Sequence, residues 1–281
     1  MITQLPLDLK AVEKIVTLSL KEDIGKGDIT TNLIVNDKLK CLAIIKSKDT
    51  GVLAGNPIAE LVFKRLDPRI KYIQRKKDGD TINPNDIIAE VRGSVRTVLT
   101  GERLSLNFLQ RLSGIATLSQ KFVNKTKGFD VKIIDTRKTT PGLRILEKYA
   151  VTVGGCYNHR FGLFDGILIK DNHIQIAGNI EKAVLKVRAK HKNKEIEVET
   201  SNINQVREAL KSGADIIMLD NMTPDKIKKA VKIIDSKAMT EASGGINLDN
   251  IGEYAKTGVD YISVGVLTHS AKSLDIGLYV L

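Results

Sequence analysis

The sequence predicts an α/β protein whose second part is a closed or nearly closed barrel of parallel strands. Three observations lead to this fold class. Six apolar runs of strand length lie between residues 131 and 265, amphipathic segments separate most of them, and each run ends in a polar or glycine-rich cluster. Buried strands that alternate with helices are typical of parallel sheets with right-handed crossovers. Six repeats over ~150 residues favour a barrel, with an open doubly wound sheet as the competing architecture.

The first part of the chain has a different pattern. Apolar residues recur at helical spacing through residues 10–20, which predicts a helix there. Extended segments bounded by Gly, Pro, Asn and Asp follow at 41–47, 69–78 and 86–93. An amphipathic helix over 100–114 ends this part, so we place a domain boundary between residues 112 and 113.

The second part alternates between strands and helices. The predicted strands are 131–135, 166–170, 196–200, 215–220, 238–243 and 261–265. The predicted helices are 117–127, 142–151, 179–191, 202–211, 223–235 and 247–257. No Gly-x-Gly-x-x-Gly motif follows the first strand of a repeat, which disfavours a dinucleotide-binding fold.

Composition excludes several classes of protein. With 42% hydrophobic and 27% charged residues in 281, the chain is too apolar for disorder. It has no uncharged apolar stretch of the ~18 to 20 residues that a membrane helix needs, and its first twenty residues lack the pattern of a signal peptide. Two cysteines, Cys41 and Cys156, are too few for a disulfide framework or a cysteine-based zinc cluster. We therefore expect a cytoplasmic protein with reduced thiols.

The formal net charge of +11 indicates a negatively charged partner. The excess of basic residues is spread over both parts of the chain, with no basic tail. Aromatic residues make up only 4% and Trp is absent, which disfavours a single-strand nucleic-acid binder. Small polyanionic substrates are therefore favoured over nucleic acid, and we expect no membrane partner.

The strand ends hold the chemistry. In a parallel barrel the carboxyl ends of the strands build the active site, so clusters at these positions are expected to meet at one mouth. The clusters are Asp135-Thr136-Arg137-Lys138, Lys170-Asp171-Asn172-His173, Glu199-Thr200, Asp220-Asn221, Ser243-Gly244-Gly245 and Val264-Gly265-Val266.

These residue types favour a phosphorylated, polyanionic ligand, with a second carboxylated molecule as a candidate partner. Arg137, Lys138, Arg160 and Lys170 supply cations, and two strand-end carboxylates beside them suit Mg²⁺. Glycine turns after the last strands would let backbone N–H groups approach a phosphate. Each feature also has a structural interpretation: a single Asp after a strand is often a helix N-cap, and glycine pairs are often ordinary turns.

One long stretch is recognisable. Residues 135–174 read DTRKTTPGLRILEKYAVTVGGCYNHRFGLFDGILIKDNHI. This stretch resembles the signature of the decarboxylating quinolinate phosphoribosyltransferases, also called nicotinate-nucleotide pyrophosphorylases. The resemblance continues at 22–30, 101–117, 196–200, 215–221, 241–246 and 261–270. Members commonly have three glycines before an Asn-His-Arg motif, and here Cys156 stands in place of the third.

The resemblance implies a fold, an assembly and a reaction. The fold is an incomplete barrel of about seven strands over 113–267, preceded by an α+β sandwich-like domain over 1–112 to which the tail 268–281 returns. The assembly is a homodimer, or a hexamer of three dimers, in which each barrel mouth is covered by the partner's N-terminal domain. The reaction converts quinolinate and phosphoribosyl pyrophosphate to nicotinate mononucleotide, pyrophosphate and CO₂ with Mg²⁺, in NAD biosynthesis.

The resemblance also implies roles for individual residues. Lys138, Lys170, Glu199 and Asp220 are the expected catalytic residues, and the two acids are the expected ligands of the metal and of the ribose hydroxyls. The carboxylates and phosphates of the substrates are expected to contact Thr136, Arg137, Lys138, His159, Arg160, Lys170 and, from the neighbouring subunit, Arg103. The turns Ser243-Gly244-Gly245 and Val264-Gly265-Val266 are expected to hold the 5′-phosphate.

Two alternatives stay open at this point. A phosphoribosyltransferase of the same architecture could use another ring acid, such as nicotinate without decarboxylation, or belong to a molybdenum-associated paralogue. A basic nucleic-acid-binding protein would use the net charge for backbone contacts, with an affinity that falls steeply with salt.

Overall fold

A computed structural model describes residues 2–3 and 7–281 and confirms the mixed α/β class. The helices are α1 (Leu9–Ile24), α2 (Ile29–Ile34), α3 (Asn56–Leu66), α4 (Val95–Lys125), α5 (Arg144–Val153), α6 (Asp171–Ala177), α7 (Ile180–Lys190), α8 (Ile203–Lys211), α9 (Pro224–Ile234), α10 (Ile251–Ala255) and α11 (Val266–His269). The strands are β1 (Lys40–Ser47), β2 (Gly51–Val52), β3 (Lys71–Gln74), β4 (Thr81–Ile82), β5 (Ile87–Ser94), β6 (Lys132–Ile134), β7 (Ile167–Ile169), β8 (Ile196–Thr200), β9 (Ile216–Asp220), β10 (Met239–Ser243), β11 (Tyr261–Ser263) and β12 (Ile276–Val280).

The described chain divides into two compact units. The parallel-sheet unit contains residues 2–3, Lys121–Lys138 and Cys156–Val266. The antiparallel unit contains residues 7–120, Thr139–Gly155 and Leu267–Leu281. The domain limits 1–112, 113–267 and 268–281 stay a prediction.

The parallel sheet has six strands in the order β6-β11-β10-β9-β8-β7. All five pairings are parallel, and each of the six predicted strands contains one of these strands. Strands β8, β9 and β10 are buried along most of their length, which is the pattern of a sheet covered on both faces. Consecutive strands along the chain are neighbours in the sheet except for β6 and β7, which are its two edges.

Strand alternation places polar side chains of β8 and β10 on one face in the middle of this sheet. Because side chains two residues apart share a face, Glu197 and Glu199 of β8 point the same way, as do Glu241 and Ser243 of β10. Met218 of β9 is paired with both Glu199 and Glu241. Glu199 and Glu241 are therefore level with each other across the sheet, Glu197 lies two residues deeper on β8, and Ser243 lies two residues nearer the strand end on β10.

A further segment lies beside the edge strand β6. Tyr157 forms a parallel bridge with Ile134. Its amide donates to the carbonyl of Ile133 at 2.9 Å, and its own carbonyl accepts from the amide of Asp135 at 3.0 Å. These bonds hold residues 157–159 next to the end of β6.

The antiparallel unit contains a sheet in the order β12-β1-β5-β3. The three extended segments predicted in the first part of the chain contain or overlap β1, β3 and β5, and β12 from the end of the chain pairs with β1. Phe63 of α3 and Leu109 of α4 are fully buried in the core against this sheet. The burial of such large apolar side chains is the main stabilising contribution of this unit.

Three helix predictions need correction. The helices predicted at 100–114 and 117–127 are one helix, α4, because Ile115 and Ala116 are buried helical residues rather than a break. Gly114 is required inside that helix, since a Cβ there would lie 2.0 Å from the carbonyl oxygen of Lys272.

The other two corrections concern the parallel-sheet unit. The short helix α6 was not predicted; its first turn is closed by the amide of Lys170, which donates to Nδ1 of His173 at 3.0 Å. The helix predicted at 247–257 begins only at Ile251, because the side chain of Asn247 accepts the amides of Asp249 and Asn250 in a competing turn.

A search of the described residues finds no helix with the length and apolar character needed to cross a membrane. The cytoplasmic location stays a prediction.

Candidate active site

A cavity of about 430 Å³ lies at the carboxyl ends of the parallel strands. Its lining is unusual in collecting cations, carboxylates and glycines in one place. The lining residues are Asp135, Thr136, Arg137, Lys138, His159, Arg160, Leu168, Lys170, Glu199, Met218, Asp220, Asn221, Glu241, Ser243, Gly244, Gly245 and Ser263. Most of the residues singled out in the sequence therefore meet here.

Four of the expected site residues lie elsewhere. Arg103 is an exposed residue of α4 in the antiparallel unit. Val264, Gly265 and Val266 follow β11 but do not line the cavity, and Val264 is fully buried. Ser263, which the sequence did not single out, lines the cavity in their place.

Asp135 positions the Asn158-His159 segment at the end of β6. Its buried carboxylate accepts from the amide nitrogen of the Asn158 side chain at 2.8 Å and from the backbone N–H of His159 at 2.9 Å. Both distances are normal for hydrogen bonds, so this carboxylate is satisfied by groups of the protein itself. Asp135 therefore acts as an anchor for His159.

Lys170 and Glu199 form an ion pair between the ends of the neighbouring strands β7 and β8. The ammonium of Lys170 donates to Oε2 of Glu199. The lysine side chain is 44% exposed and that of the glutamate 16%, so the pair is open to the cavity. A lysine held in this way presents a positive charge to a ligand while its own position is fixed.

A glycine turn, Gly244-Gly245, follows β10 and lies against Asn221 at the end of β9. Gly244 and Gly245 both have positive φ angles, of +97° and +61°. A Cβ at Gly244 would lie 2.2 Å from Oδ1 of Asn221, whose side-chain amide donates to Asp220 at 2.6 Å. The turn therefore requires glycine, and it brings main-chain groups to the cavity wall beside Asp220.

Arg160 is largely buried at the cavity wall. One guanidinium nitrogen donates to the carbonyl of Gly166 at 2.8 Å, and Nε has no hydrogen-bond partner. Burial and the nearby charge of Arg137 lower the pKa of Arg160, against the opposing effect of Glu197. The guanidinium remains charged, since an arginine stays protonated in proteins. An unpartnered N–H at the wall of a cavity is suited to an anionic ligand.

Sequence reasoning missed a buried acidic cluster beneath these groups. Nε2 of His159 lies 2.8 Å from Oε2 of Glu197 and 3.7 Å from Oε2 of Glu241. Both glutamates are inaccessible to solvent, and Glu241 lines the cavity floor. Within the described part of the chain, one oxygen of Glu197 has a hydrogen-bond partner and neither oxygen of Glu241 has one.

Burial dominates the electrostatics of this cluster. It raises the pKa of Glu197 to about 7, although Arg160 and Lys170 oppose the shift. Burial, reinforced by the charge of Glu197, raises the pKa of Glu241 well above its usual range. Both shifts favour the protonated form, as expected for two carboxyl groups buried near each other.

Two kinds of cation site deserve comparison. His159, Glu197 and Glu241 offer ligand atoms within 4.8 Å of one another, but Nε2 of the histidine is engaged by hydrogen bonding to Glu197. We interpret this cluster as hydrogen-bonded rather than metal-binding. Glu199 and Asp220 offer carboxylate oxygens on adjacent strands at the cavity wall, the donor type that Mg²⁺ prefers.

A signal for the missed residues was present. Glu197 lies two residues before Glu199 in a predicted strand, so both must share a face, and Glu241 lies two residues before Ser243. A carboxylate in the middle of a buried strand is rarer than one at its end, because buried charges need partners.

These features define an α/β protein with a cavity suited to binding multiply charged anions. Residues 28–113 match the family model described as the N-terminal domain of quinolinate phosphoribosyl transferase, and residues 115–279 match its C-terminal domain. The chain belongs to the quinolinate phosphoribosyltransferase family.

Individual relatives agree with the family models. The chain is 48% identical over 272 residues to the probable nicotinate-nucleotide pyrophosphorylase (carboxylating) of Bacillus subtilis, covering 96% of this chain and 93% of that protein. It is 45% identical to the protein of the same description from Methanocaldococcus jannaschii, covering 94% and 95%. The solved nicotinate-nucleotide pyrophosphorylase of Francisella tularensis superposes with a TM-score of 0.94 at 43% identity, covering 99% and 98% of the two chains.

Proposed function

We propose that this protein is a decarboxylating quinolinate phosphoribosyltransferase of NAD biosynthesis. It transfers the phosphoribosyl group of phosphoribosyl pyrophosphate to quinolinate and gives nicotinate mononucleotide, pyrophosphate and CO₂. The observation that carries the proposal is the single cavity that joins fixed cations, two strand-end carboxylates and a glycine turn. The relatives named above, described as nicotinate-nucleotide pyrophosphorylases, support the same reaction.

The cations overcome the repulsion between two polyanionic substrates. Quinolinate carries two carboxylates, so Arg137 and Arg160 serve as its clamp, since the guanidinium fork matches a carboxylate. Lys138 and Lys170 face the phosphates of the second substrate, for which a compact ammonium suffices. The turn at Gly244-Gly245 offers main-chain groups to the 5′-phosphate.

The reaction needs charge stabilisation at two stages. As pyrophosphate leaves, positive charge develops on the ribose carbon, and Lys138 and Lys170 stabilise the departing negative charge. The ring nitrogen of quinolinate then bonds to that carbon and becomes a pyridinium. When the C2–carboxylate bond breaks, the electron pair stays on C2, and the adjacent pyridinium stabilises it until a proton is taken up. The substrate thus supplies its own electron sink.

A magnesium ion is the proposed cofactor. Glu199 and Asp220 would hold it, because both present carboxylate oxygens at the same cavity wall. When bound, the ion supplies additional charge for the leaving pyrophosphate. Removal of divalent cations by a chelator is expected to abolish turnover, and added Mg²⁺ is expected to restore it.

We further infer that the six parallel strands form an incomplete barrel of about seven. The sheet runs from the edge strand β6 through β11, β10, β9 and β8 to the edge strand β7. The bridge at Tyr157 adds a short seventh segment beside β6. Slow exchange of the Tyr157 amide, which bonds Ile133, is expected if this segment belongs to the barrel wall. Rapid exchange there would contradict it.

The decisive experiment is a coupled assay of the purified protein with quinolinate, phosphoribosyl pyrophosphate and Mg²⁺. Equal release of CO₂ and pyrophosphate is expected with quinolinate. Turnover of nicotinate without CO₂ would instead support a related phosphoribosyltransferase. The variant Lys170→Ala is expected to lower kcat about a hundredfold or more, as for loss of a group that stabilises developing charge. Lys190→Ala, an exposed lysine of α7 outside the cavity, is the matched control.

A homodimer, or a hexamer of three dimers, is the proposed assembly, with Arg103 reaching the cavity of a neighbouring subunit. Its support is that Arg103 is an exposed cation of the antiparallel unit and does not line the cavity of its own chain. Mixing inactive Arg103→Ala with inactive Lys170→Ala is then expected to restore part of the activity. No recovery after confirmed subunit exchange would contradict a shared site.

A further inference from the structure

We propose that Glu197 and Glu241 are positioning residues that hold His159 at the cavity floor, with its imidazole directed to a carboxylate of the substrate. The proposal deepens the proposed function and rests on it. Glu197 is the hydrogen-bond acceptor that fixes the ring, and Glu241 is a second buried carboxyl group that faces the same ring nitrogen. The family resemblance implied a contact between His159 and the substrate but implied no role for either glutamate.

His159 is fixed at two points. Its backbone N–H donates to Asp135 at 2.9 Å, and its Nε2 lies 2.8 Å from Glu197. The residue is only 6% exposed, yet it lines the cavity. A carboxylate on one ring nitrogen sets the tautomer and the ring orientation of a histidine. Glu197 therefore determines how the imidazole faces a ligand.

Glu241 completes the cluster without bonding the ring. Its nearer oxygen is 3.7 Å from Nε2 of His159, beyond hydrogen-bond distance, and both its oxygens lack partners. A fully buried carboxyl group without donors is more stable in its protonated form, and the adjacent Glu197 reinforces this preference. Glu197 is therefore the carboxyl group that contacts the ring, and Glu241 lies beside it.

A purely structural role does not account for this arrangement. Apolar side chains of similar volume would fill the interior of the sheet without leaving unsatisfied oxygens. Buried polar atoms without partners are rare in native proteins, and they indicate a functional role rather than a stabilising one. Here the oxygens lie under a cavity whose other walls carry Arg137 and Arg160, the proposed carboxylate clamp. The cluster is therefore placed to orient His159 beside that clamp.

The proposal predicts that the same substitution at two neighbouring glutamates changes KM for quinolinate to different extents. Glu197→Gln is expected to raise KM for quinolinate about tenfold to a hundredfold, the loss typical of a hydrogen bond to a charged group. KM for phosphoribosyl pyrophosphate is expected to stay within about twofold, since that substrate does not use His159. Glu241→Gln leaves the contact between Nε2 and Glu197 in place, so it is expected to raise KM for quinolinate by less than Glu197→Gln does.

Controls separate this effect from a general loss of structure. Asp260→Asn removes a carboxylate from the opposite end of β10, where Asp260 accepts from the amide and hydroxyl of Thr240 at 2.7 Å. It is expected to lower stability and leave both KM values unchanged. Should Glu197→Gln fail to fold, Glu197→Asp keeps the charge but withdraws it from Nε2, and the same rise in KM for quinolinate alone is expected.

A spectroscopic readout tests the geometry independently of turnover. The chain has four histidines, so ¹⁵N-labelled histidine gives few signals, and His159→Gln assigns the one of interest. The Nε2 signal of His159 is expected to show a bound proton in the wild type and in Glu241→Gln, and to shift in Glu197→Gln. In kinetics, the double variant His159→Gln/Glu197→Gln is expected to be no worse than His159→Gln alone.

Several results would overturn the proposal. They are a normal KM for quinolinate in Glu197→Gln, additive losses in the double variant, or a tightly bound metal ion that disappears with Glu197→Gln. Each leaves the proposed function intact as long as the wild type releases CO₂ from quinolinate. Absence of CO₂ release by the wild type would remove the proposed function itself, whatever the variants do.

Discussion

Two buried glutamates, one in each compact unit, use the same side chain in opposite ways. Glu147 of α5 and Glu241 of β10 are both inaccessible to solvent. Glu147 accepts from the guanidinium of Arg111 at 2.8 and 3.2 Å, and from the amide and hydroxyl of Thr140 at 3.0 and 2.8 Å. Among residues 2–3 and 7–281, no hydrogen-bond partner satisfies either oxygen of Glu241.

The difference shows how a buried charge can be assigned to structure or to function. A buried carboxylate is tolerated when donors surround it, and such a network fixes the elements that supply the donors. Arg111 also donates to the carbonyls of Thr268 and Ala271, so the Glu147 network joins α4, α5 and the segment that contains α11. Glu241 has no comparable set of donors among the described residues, and it lines a cavity. We therefore assign Glu147 to stability and Glu241 to the active site.

The largest expected effect is the loss of the partnered carboxylate. Glu147→Gln leaves the guanidinium of Arg111, which is only 26% exposed, without its counter-charge. The free energy of unfolding is expected to fall by about 3 kcal/mol, in the range for breaking a buried ion pair. Urea denaturation at constant m-value measures this change. A loss below about 1 kcal/mol, within the range of surface substitutions and ion pairs, would break the comparison.

The fold was predictable where the sequence has a strong period. All six parallel strands followed from buried runs, because burial on both faces leaves a continuous apolar segment. The limits of α4 and α10 did not follow. Continuity through Gly114 depends on the close approach of Lys272, and the late start of α10 depends on the side chain of Asn247. Both are particular contacts that a pattern of residue types does not specify.

Only the cavity residues at the strand ends were predictable from the sequence. Lys170, Glu199 and Asp220 stand at strand ends, so parallel topology alone was enough to expect them together. Glu197 and Glu241 lie one step deeper within apolar runs, where strand periodicity explains their face but not their lack of partners. That property is three-dimensional, since it depends on which donors the neighbouring strands supply.

The second prediction concerns the unpartnered carboxyl group. Since the pKa of Glu241 is raised above its ordinary value of 4.5, the folded protein retains a proton that the unfolded chain releases as the pH rises past that value. Wild-type stability therefore decreases with pH above 4.5 because of this group. Glu241→Gln removes this effect. The free energy of unfolding of the variant should therefore exceed that of the wild type by an amount that grows with pH, to about 1–3 kcal/mol at neutral pH.

Thermal unfolding of the wild type and Glu241→Gln from pH 5 to pH 8 measures this advantage. Glu147→Gln is the matched control, because its deficit reflects a lost ion pair rather than a retained proton. A variant that is less stable than the wild type at every pH would place Glu241 with Glu147 as a structural carboxylate. The comparison between the two units would then fail.

The smallest expected effect sharpens the comparison within the antiparallel unit. Asp78 accepts from the hydroxyl of Tyr149 at 2.7 Å, and also from the backbone N–H groups of Gly55 and Asn56 at 2.7 and 2.9 Å. Tyr149→Phe removes one donor of three, so the free energy of unfolding is expected to fall by only about 1 kcal/mol. Tyr279→Phe, which changes an exposed side chain near the end of β12, is the control and should change nothing. A loss from Tyr149→Phe as large as that from Glu147→Gln would mean that the number of remaining donors does not govern the cost of a buried carboxylate. The absence of partners would then no longer distinguish Glu241.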